Sequence, residues 1–434
     1  MGGLGCWLWG CRLLGLALVL GVVLPYALRN DAHVDFPQLY MAGAVAAEGR
    51  WEAVYPEPLA GATHNAAYPE ASVPHAVYEA IARRRGVPEG SLRFIYPPPV
   101  AILCWPLAWL SYPAAVVGFA ALSAVAVWVV GLQAGWVHRA VVGRPRWVEG
   151  PLTLSVCGAP MMVNGMRSLN ISMLLGVLVG GAVLGLLRKR EVTGAVMLTL
   201  GGVFKASTAP LALVYLAAGR WKALAMAVGW TVLIVGGSLA VMGRGPFAAF
   251  FVDVAPTLAW GAADAANQSL LGLLARVTGD AEAAAGINAW VRPWGLVAVV
   301  LVGLGVGRLA WLDRQRRVHR RLRARGLAAG AFAALMLWML LSPLNWPHYQ
   351  LLLAPLWGWL WWEVARAWRG RRRTLAGAIV LAWVSLWFPV AMFIDAGTGR
   401  VPEPWVSHGF WSSLALAGYA VARLGWCVRR AGLG

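Results

Sequence analysis

Long apolar segments separated by short polar stretches run through almost the whole chain. Segments of about 20 residues match the ~30 Å hydrocarbon layer of a bilayer, because an α-helix rises about 1.5 Å per residue. Two segments are longer than one crossing requires and contain polar residues, so we expect broken helices there. The predicted spans cover residues 8–28, 94–111, 113–136, 151–187 (broken), 192–218 (broken), 223–242, 293–312, 326–342, 350–367, 374–393 and 409–428.

Short basic runs between the apolar segments predict the orientation of the chain. Cytoplasmic loops of membrane proteins carry an excess of arginine and lysine, so we assign these runs to the cytoplasm. The opposite side then receives residues 29–93, 163–170, 243–292, 342–349 and 394–408. The basic runs are Arg188-Lys189-Arg190, Arg220-Trp221-Lys222, the cluster Arg314–Arg325, Arg369–Arg373 and the tail with Arg429-Arg430.

One basic group does not fit this topology. Arg139, Arg144 and Arg146 look cytoplasmic, but two full spans between residues 94 and 137 would put them on the opposite side. Either 94–111 enters the membrane without crossing it, or a break in a later segment is miscounted. We therefore predict about 11 to 13 transmembrane helices.

The composition is that of an all-α polytopic membrane protein. Of 434 residues, 60% are hydrophobic and 13% are charged, and the mean hydropathy is +0.64. No soluble protein of this length needs so apolar a surface, so residues 1–434 form one predicted integral membrane domain. The net charge of +19 lies mostly in the basic runs. Topology accounts for that charge, and we expect no nucleic-acid partner.

Motifs for cofactors and metals are missing from the sequence. The five cysteines are scattered, without a CxxC pair or metal-ligand spacing. There is no Walker motif, dinucleotide fingerprint or zinc helix, so we expect no cofactor and no metal. The apolar run Leu13–Leu28 lacks a small-residue cleavage site, and we interpret it as an uncleaved first helix.

Two long segments on the predicted outer side are candidates for function. Residues 29–93 contain eight of the 18 carboxylates of the chain, which is unusual for a bare connector. Within this first extracytoplasmic loop, residues 36–49 and 74–85 predict short interfacial helices. The second extracytoplasmic loop, 243–292, offers an apolar face to the membrane surface through Phe247, Phe250, Phe251 and Trp260.

Asp35 follows the first predicted span, in the string Asp35-Phe36-Pro37-Gln38-Leu39-Tyr40. A carboxylate at the membrane interface can accept the proton of a hydroxyl acceptor, and partial burial would make it a stronger base. The alternative is a structural role, because Asp is a favoured N-cap and a helix is predicted to follow. Asp31 is a nearby competitor for the catalytic role.

Lys205 is the only lysine that lies away from a basic cluster. It stands where two short helices of the segment 192–218 are predicted to meet, near Phe204–Thr208. Broken helices and ionisable residues at membrane depth normally border a cavity or a functional site. A phosphate group would offset the cost of burying the ammonium. An internal salt bridge and snorkelling are the alternatives.

Two polar strings on the predicted outer side add further candidates. Arg167, within 164–170, has the geometry to bind a phosphate or pyrophosphate; a solvated turn is the alternative. His348, within 341–349, is a candidate base, phosphate ligand or hydrogen-bonding scaffold. Asn345 nearby favours a site over a simple aromatic anchor.

Two further motifs carry no chemistry in this interpretation. Tyr96-Pro97-Pro98-Pro99 is structural, because its rigid geometry fixes how the chain re-enters the membrane. Asn267-Gln268-Ser269 matches a glycosylation sequon, which we treat as chance.

A series of short motifs follows a recognisable order along the chain. They are Asp35-Phe36 with Tyr40, Gly49, Val54-Tyr55, Tyr96-Pro97-Pro98, Phe204-Lys205, Asn267-Gln268-Ser269, and Ser342-Pro343 followed by Trp346-Pro347-His348-Tyr349. This order, over about residues 30–360, resembles glycosyltransferase family 87 (DUF2029), which contains polyprenol-phosphate-mannose-dependent α-mannosyltransferases. Relatives often have Gly-Gln-x-Asn where this chain has Gly165–Asn170 without the glutamine, which leaves the acceptor and the sugar open.

The resemblance implies a GT-C fold, a multi-span helical domain with a large extracytoplasmic first loop. It implies transfer of a sugar, mannose in the first place, from a polyprenyl-phosphate donor to a lipid or glycan acceptor. Transfer would take place on the outer face of a bacterial plasma membrane. By motif position, Asp35 corresponds to the base, and Lys205 and His348 to residues that hold the donor phosphate. The other residues expected to bind substrate are Arg167, Asn345, Tyr40, Tyr349, Asn267 and Gln268.

The chemistry of such a donor allows a mechanism with one base. A polyprenyl phosphate is a good leaving group that needs no general acid, whereas glycosidases release an alcohol and use two carboxylates. Cations stabilise the phosphate charge as it develops. Attack opposite the phosphate inverts the anomeric centre.

Two other functions compete with this one. A transporter or flippase for lipid-linked envelope intermediates would explain Lys205 and the broken helices, but the sequence has no related halves. A non-catalytic partner in envelope synthesis would need no pocket beside the acidic loop 29–93. A cavity that joins Asp35, Lys205 and His348 would favour the enzyme, because catalytic groups must reach one substrate.

Overall fold

Helices make up nearly all of the fold in this computed structural model, and the protein is an all-α polytopic membrane protein. One short antiparallel pair of strands, β1 (Glu57–Pro58) and β2 (Ser72–Val73), occurs in the described part of the chain. Asp31, Arg144, Trp260 and Trp346 lie outside the described residues. The structure describes residues 2–29, 35–55, 57–58, 72–73, 75–88, 94–143, 146–258, 267–279, 281–315, 318–343, 345, 347–386 and 408–433.

The amino-terminal half combines a few long helices with many short ones. The predicted breaks in 151–187 and 192–218 are confirmed, since the first segment forms three helices and the second forms two. The helices are α1 (Gly2–Leu18), a π-helical turn (Val19–Val23), α2 (Leu24–Leu28), α3 (Phe36–Ala47), α4 (Ala76–Arg85), α5 (Pro98–Cys104), α6 (Tyr112–Val142), α7 (Glu149–Cys157), α8 (Pro160–Ser168), α9 (Ser172–Arg188), α10 (Glu191–Phe204) and α11 (Ala209–Ala217). Short 3-10 turns lie at Trp51–Ala53, Trp105–Trp109, Arg146–Val148 and Ala206–Thr208.

The carboxy-terminal half contains longer helices. A π-helical turn (Phe250–Val254) connects α13 and α14, and a 3-10 segment (Pro347–Leu356) leads into α18. The helices are α12 (Trp221–Met242), α13 (Gly245–Ala249), α14 (Ala255–Leu258), α15 (Leu270–Thr278), α16 (Ala281–Arg314), α17 (Arg320–Leu341), α18 (Trp357–Arg369), α19 (Arg373–Ser385) and α20 (His408–Gly432).

Five helical stretches among the described residues are long and apolar enough to cross a membrane. They differ in their surroundings: in the most apolar stretch of α17, 78% of the residues are buried, compared with 6% in α12. Because apolar surface is covered either by protein or by hydrocarbon, α17 belongs to the core and α12 faces lipid. The protein also contains shorter apolar helices, such as α9 and α10, besides these five stretches. The total of about 11 to 13 spans stays a prediction.

The ends of several helices meet in a basic region, which we call the basic end. Arg139, near the end of α6, donates a 2.6 Å hydrogen bond to the buried carboxylate of Glu149. Arg325 donates a 3.3 Å hydrogen bond to the Val141 carbonyl oxygen, so α6 ends beside the cluster Arg314–Arg325. This position resolves the conflict over Arg139. The chain over 94–111 forms only α5 and a 3-10 turn, which are too short for a full crossing.

The second broken segment forms a hairpin that starts and finishes at the basic end. Glu191, at the start of α10, pairs with Arg220, just after α11, at 3.2 Å. Lys189 nearby pairs with Asp313 of α16 at 3.7 Å. With 14 residues, α10 rises about 21 Å, less than a crossing requires. Lys205 lies at the turn of this hairpin, away from the basic end.

The helix α3 differs from the interfacial helix predicted for 36–49. Eleven of its 12 residues are buried, because α5 and the turn Trp105–Trp109 pack against it. Gly43 permits this close approach, since a Cβ atom there would lie 2.2 Å from the Cys104 carbonyl oxygen. The first loop therefore enters the packed core through α3. In contrast, α4 leaves most of its residues partly or fully exposed.

Candidate active site

The Asp35 side chain is held by the turn that follows α8. Its backbone amide donates a 3.1 Å hydrogen bond to the Ser168 carbonyl oxygen, and Asn170 Nδ2 donates a 2.8 Å hydrogen bond to its Oδ2. Gln38 Nε2 lies farther away, 3.4 Å from its Oδ1. Asp35 occupies the N-cap position of α3, but its side chain accepts no capping hydrogen bond from a backbone amide of the helix. The capping role considered from the sequence is therefore not realised.

Asn170 is itself fixed from its other side. The residue is buried, and its Oδ1 accepts hydrogen bonds from the amide and the hydroxyl of Ser172, at 2.8 and 2.5 Å. Because the oxygen is occupied as an acceptor, the NH₂ group is the part that meets Asp35. Asn170 was not predicted to be a partner of the base. An asparagine that interrupts an apolar run was the available signal.

Lys205 leaves the helical conformation at the end of α10. Its backbone is extended, with φ −163° and ψ 128°. Its Nζ lies 3.5 Å from the centroid of the Tyr349 ring, within the range of a cation–π interaction. Among the described residues, no carboxylate forms an ion pair with it. The internal salt bridge considered from the sequence is therefore not found there, and the ammonium is available to an anionic ligand.

A cavity of about 280 Å³ lies beside Lys205. Its wall is formed by the residues before α5, the turn after α10, the region of α13 and α14, and the neighbouring ends of α16 and α17. The wall is mostly apolar and aromatic, and Lys205 and Arg292 are the cations among the described residues that line it. Tyr96 and Pro97, interpreted from the sequence as structural, belong to this wall. Arg292 was not predicted to be part of the site.

The carboxylate and the ammonium influence each other. The charges of Asp35 and Lys205 interact, and the Asp35 charge also acts on the phenol groups of Tyr96 and Tyr349. Burial raises the pKa of Asp35 above its ordinary value of 3.8, and the hydrogen bond from Asn170 and the charge of Lys205 partly offset this shift. A raised pKa makes the ionised carboxylate a stronger base.

His348 also contacts the Tyr349 ring. The two rings meet edge to face, with centroids 4.7 Å apart. Burial, and then the charge of Lys205, lower the pKa of His348 to about 3. The imidazole is therefore neutral at physiological pH, which favours a hydrogen-bonding role over a role as base or cation. Its buried Nε2 has no hydrogen-bond partner among the described residues, a state that costs about 1–3 kcal/mol unless a ligand supplies one.

The turn that carries His348 is fastened by Asn345 and the pair Asn267-Gln268. The Asn345 amide donates a 2.9 Å hydrogen bond to Asn267 Oδ1, and the Gln268 amide donates one of 2.9 Å to the Asn345 carbonyl oxygen. Asn345 Nδ2 also donates to the Gln268 carbonyl oxygen, at 3.2 Å. All three side chains are buried. The Gln268 side-chain oxygen instead accepts a 3.1 Å hydrogen bond from the Phe410 amide of α20. None of the three residues is among the described residues that line the cavity.

Two other residues expected to bind substrate lie away from the cavity wall. Tyr40 is buried in α3, and its hydroxyl donates a 2.9 Å hydrogen bond to the Leu110 carbonyl oxygen. Arg167 is exposed on the last turn of α8, just before the turn that contains Asn170. Of the predicted site, Lys205 and Tyr349 line the cavity, whereas Asp35 and His348 are not among its described lining residues. Asp35 is linked to this pair through the charge of Lys205, and His348 through the ring of Tyr349.

The fold and the site define an integral membrane protein in which a candidate base interacts with a cation on the wall of a cavity, as in an enzyme. Residues 94–343 match glycosyltransferase family 87. Because this match covers more than half of the chain, the chain belongs to glycosyltransferase family 87, and it is a membrane glycosyltransferase. The resemblance inferred from the order of the motifs is thereby confirmed.

A relative in Mycolicibacterium smegmatis (strain ATCC 700084 / mc(2)155) is 25% identical over 368 residues. The similarity covers 81% of this chain and 80% of the relative. That protein is a polyprenol-phosphate-mannose-dependent alpha-(1-2)-phosphatidylinositol pentamannoside mannosyltransferase. No solved structure matches the chain significantly.

Proposed function

We propose that the protein transfers mannose from a polyprenyl-phosphate donor to a hydroxyl group of a lipid or glycan acceptor. The observation that carries the proposal is the pair of Asp35, a candidate base, and Lys205, a cation on the cavity wall: their charges interact, and no carboxylate of the described residues forms an ion pair with Lys205. The relative in M. smegmatis depends on polyprenol-phosphate-mannose, which supports this donor class. The basic end faces the cytoplasm under the positive-inside rule. Transfer then occurs on the extracytoplasmic face of a bacterial plasma membrane.

The transfer forms one bond and breaks one bond at the anomeric carbon. The acceptor hydroxyl oxygen attacks this carbon while the bond from the carbon to the phosphate oxygen breaks. Asp35 accepts the hydroxyl proton, and the bonding electron pair leaves with the polyprenyl phosphate. The oxygen arrives opposite the phosphate, so the anomeric centre is inverted and a β-linked donor gives an α-linked product.

The leaving phosphate determines which groups the site needs. It leaves as a stabilised anion, so one base suffices and no carboxylic acid has to protonate it. The ammonium of Lys205 stabilises the charge that develops on the phosphate, an effect worth about 10²–10³ in rate for a well-placed group. His348, as a neutral imidazole, offers a hydrogen bond from its unpartnered Nε2. Asn170 keeps the Asp35 carboxylate directed to the acceptor.

Transfer of radiolabelled mannose from polyprenyl-phosphate mannose in proteoliposomes tests the proposal. The variants are Asp35→Asn and, as a matched control, Glu52→Gln, which alters an exposed carboxylate of the same loop that pairs with Arg50 at 2.7 Å. We expect transfer by the wild type and by Glu52→Gln, and a loss of about 10² or more in kcat for Asp35→Asn.

Two results would reject parts of the proposal. Full activity of folded Asp35→Asn would remove Asp35 as the base. A folded wild type that transfers no sugar from a panel of polyprenyl-phosphate donors would reject the donor class. The configuration of the product, determined by NMR, separates inversion from retention.

A further inference from the structure

Arg292 is a second cation on the wall of the cavity that contains Lys205. The residue is exposed, and among the described residues no carboxylate pairs with it. Neither the motifs nor the family resemblance pointed to this residue. An unpaired arginine and an unpaired lysine on the wall of one small cavity indicate a ligand that carries negative charge.

The depth of Arg292 in the membrane follows from the length of α16. Asp313, near the end of α16, pairs with Arg323 at 3.0 Å at the basic end. Arg292 precedes Arg314 by 22 residues, which corresponds to a rise of about 33 Å, close to the thickness of the hydrocarbon layer. Arg292 therefore lies at the level of the lipid headgroups on the side opposite the basic end. Lys205, about 21 Å from the basic end along α10, lies deeper in the membrane.

The neighbours of Arg292 support this depth. Trp290 and Trp294 flank it, and their side chains are 72% and 64% exposed, as expected for an aromatic belt at the membrane interface. Farther along α16, Val300 and Leu304 are 52% and 64% exposed and apolar, as expected for a surface in contact with hydrocarbon. One side of α16 therefore faces lipid along most of its length.

The helix α16 also forms one wall of the cavity. A Cβ atom at Gly295 would lie 2.2 Å from a side-chain carbon of Leu341, so α16 and α17 approach each other closely one turn below Arg292. Both Leu341 and Leu296 line the cavity, and Leu296 is also 41% exposed. The cavity thus begins beside a lipid-facing helix at headgroup level and continues inward to Lys205.

We propose that Arg292 binds the phosphate of the lipid-linked donor at the membrane surface, and that the donor reaches Lys205 from the bilayer beside α16. The inference rests on the proposed function, because it concerns the donor of that reaction. The guanidinium holds the phosphate from the headgroup side of the cavity, in a bidentate geometry that a point charge does not provide, while the ammonium of Lys205 contacts the same phosphate from the deeper side. The cavity takes the sugar phosphate and the first units of the chain, while the remainder of the chain stays in hydrocarbon.

A sugar-free polyprenyl phosphate is the probe for this site, because its binding does not depend on transfer. The full-length protein in nanodiscs is compared as wild type, Arg292→Gln, Arg292→Lys and Arg244→Gln. Arg244 is the matched control. It is exposed, follows the 22-residue α12 at the same end of the protein, and is not among the described residues that line the cavity.

We expect Arg292→Gln to weaken binding of polyprenyl phosphate at least about ten-fold, as for the loss of a hydrogen-bonded charge. Arg292→Lys should retain part of the affinity, and Arg244→Gln should bind as the wild type does. In steady-state transfer, the KM for the donor should rise in Arg292→Gln with kcat largely kept, and the KM for the acceptor should not change. Melting temperatures check that all variants are folded.

The outcomes separate this inference from the proposed function. Equal binding and equal donor KM in Arg292→Gln and Arg244→Gln would overturn the role of Arg292 even if the wild type transfers mannose. A change in the KM for the acceptor alone would assign Arg292 to the acceptor and overturn the inference as stated. Loss of polyprenyl phosphate binding in Arg292→Gln supports the inference even if the sugar transferred proves to be another.

Discussion

Asn170 Nδ2 donates a 2.8 Å hydrogen bond to Asp35 Oδ2, across 135 residues of sequence. The hydroxyl and the amide of Ser172 hold the oxygen of the same side chain, so the orientation of the amide group is determined. A base that is fixed in this way does not have to be ordered when the acceptor binds. Asn170 is thus a positioning residue for the proposed reaction.

Replacement of Asn170 should affect kcat more than KM. We expect Asn170→Ala to lower kcat about ten-fold or more, because the carboxylate loses its fixed orientation. Asn170→Asp keeps the size of the side chain but brings a second carboxylate to Asp35, and we expect a larger loss. Asn164→Ala, on the half-buried part of α8, is the control. Unchanged kinetics in both Asn170 variants would mean that the hydrogen bond has no role in catalysis.

The rate should depend on pH through Asp35. A base acts in its ionised form, so kcat/KM falls as the pH decreases through the pKa of Asp35. Because burial raises this pKa, the acid limb should lie above pH 3.8. The hydrogen bond from Asn170 lowers the pKa of Asp35, so its removal in Asn170→Ala should move the limb to higher pH. A pH–rate profile of both proteins checks the direction, and a limb that moves to lower pH would contradict it.

Replacement of Lys205 should lower the rate, whereas replacement of Tyr349 should lower it only when the aromatic ring is removed. Lys205→Met removes the cation opposite the leaving phosphate, and we expect kcat to fall about 10²–10³-fold. Tyr349→Phe keeps the aromatic face that the ammonium contacts at 3.5 Å, and its rate should stay near that of the wild type. Tyr349→Leu removes that face and should lower the rate. Equal rates for Tyr349→Phe and Tyr349→Leu would show that the ring does not position the ammonium.

Glu363 should matter for stability and not for the chemistry. This buried carboxylate accepts hydrogen bonds from Arg423 at 2.8 Å and from Arg366 at 2.9 Å, and from Tyr419 at 2.9 Å. Glu363→Gln leaves buried arginine charge without its counter-ion, which costs about 3–5 kcal/mol of the free energy of unfolding.

Thermal unfolding in detergent compares Glu363→Gln with the exposed control Glu52→Gln, for which we expect a change of at most about 1 kcal/mol. Equal melting temperatures for the two variants would mean that the buried ion pairs contribute little to stability.

The sequence by itself determined the class of the fold and the places where its helices are broken. The length of an apolar segment and the position of a basic run are local properties, and the bilayer acts on them directly. For this reason the breaks around Asn164–Asn170 and Lys205 could be predicted. Asp35, Lys205 and His348 could be selected for a related reason, since a polar residue in an apolar setting stands out without knowledge of its neighbours.

Only the tertiary structure decided what these residues contact. The hydrogen bond between Asn170 and Asp35 joins segments that are far apart in the sequence. The cavity wall likewise brings Arg292 beside a distant segment, that of Lys205. The same holds for the burial of α3 and for the role of Asn267 in fastening the turn of His348. Such contacts depend on how the helices pack. Small residues such as Gly43 allow two segments to approach each other closely. No periodicity within one segment encodes which distant segment will lie against it, so these relationships had to be read from the fold.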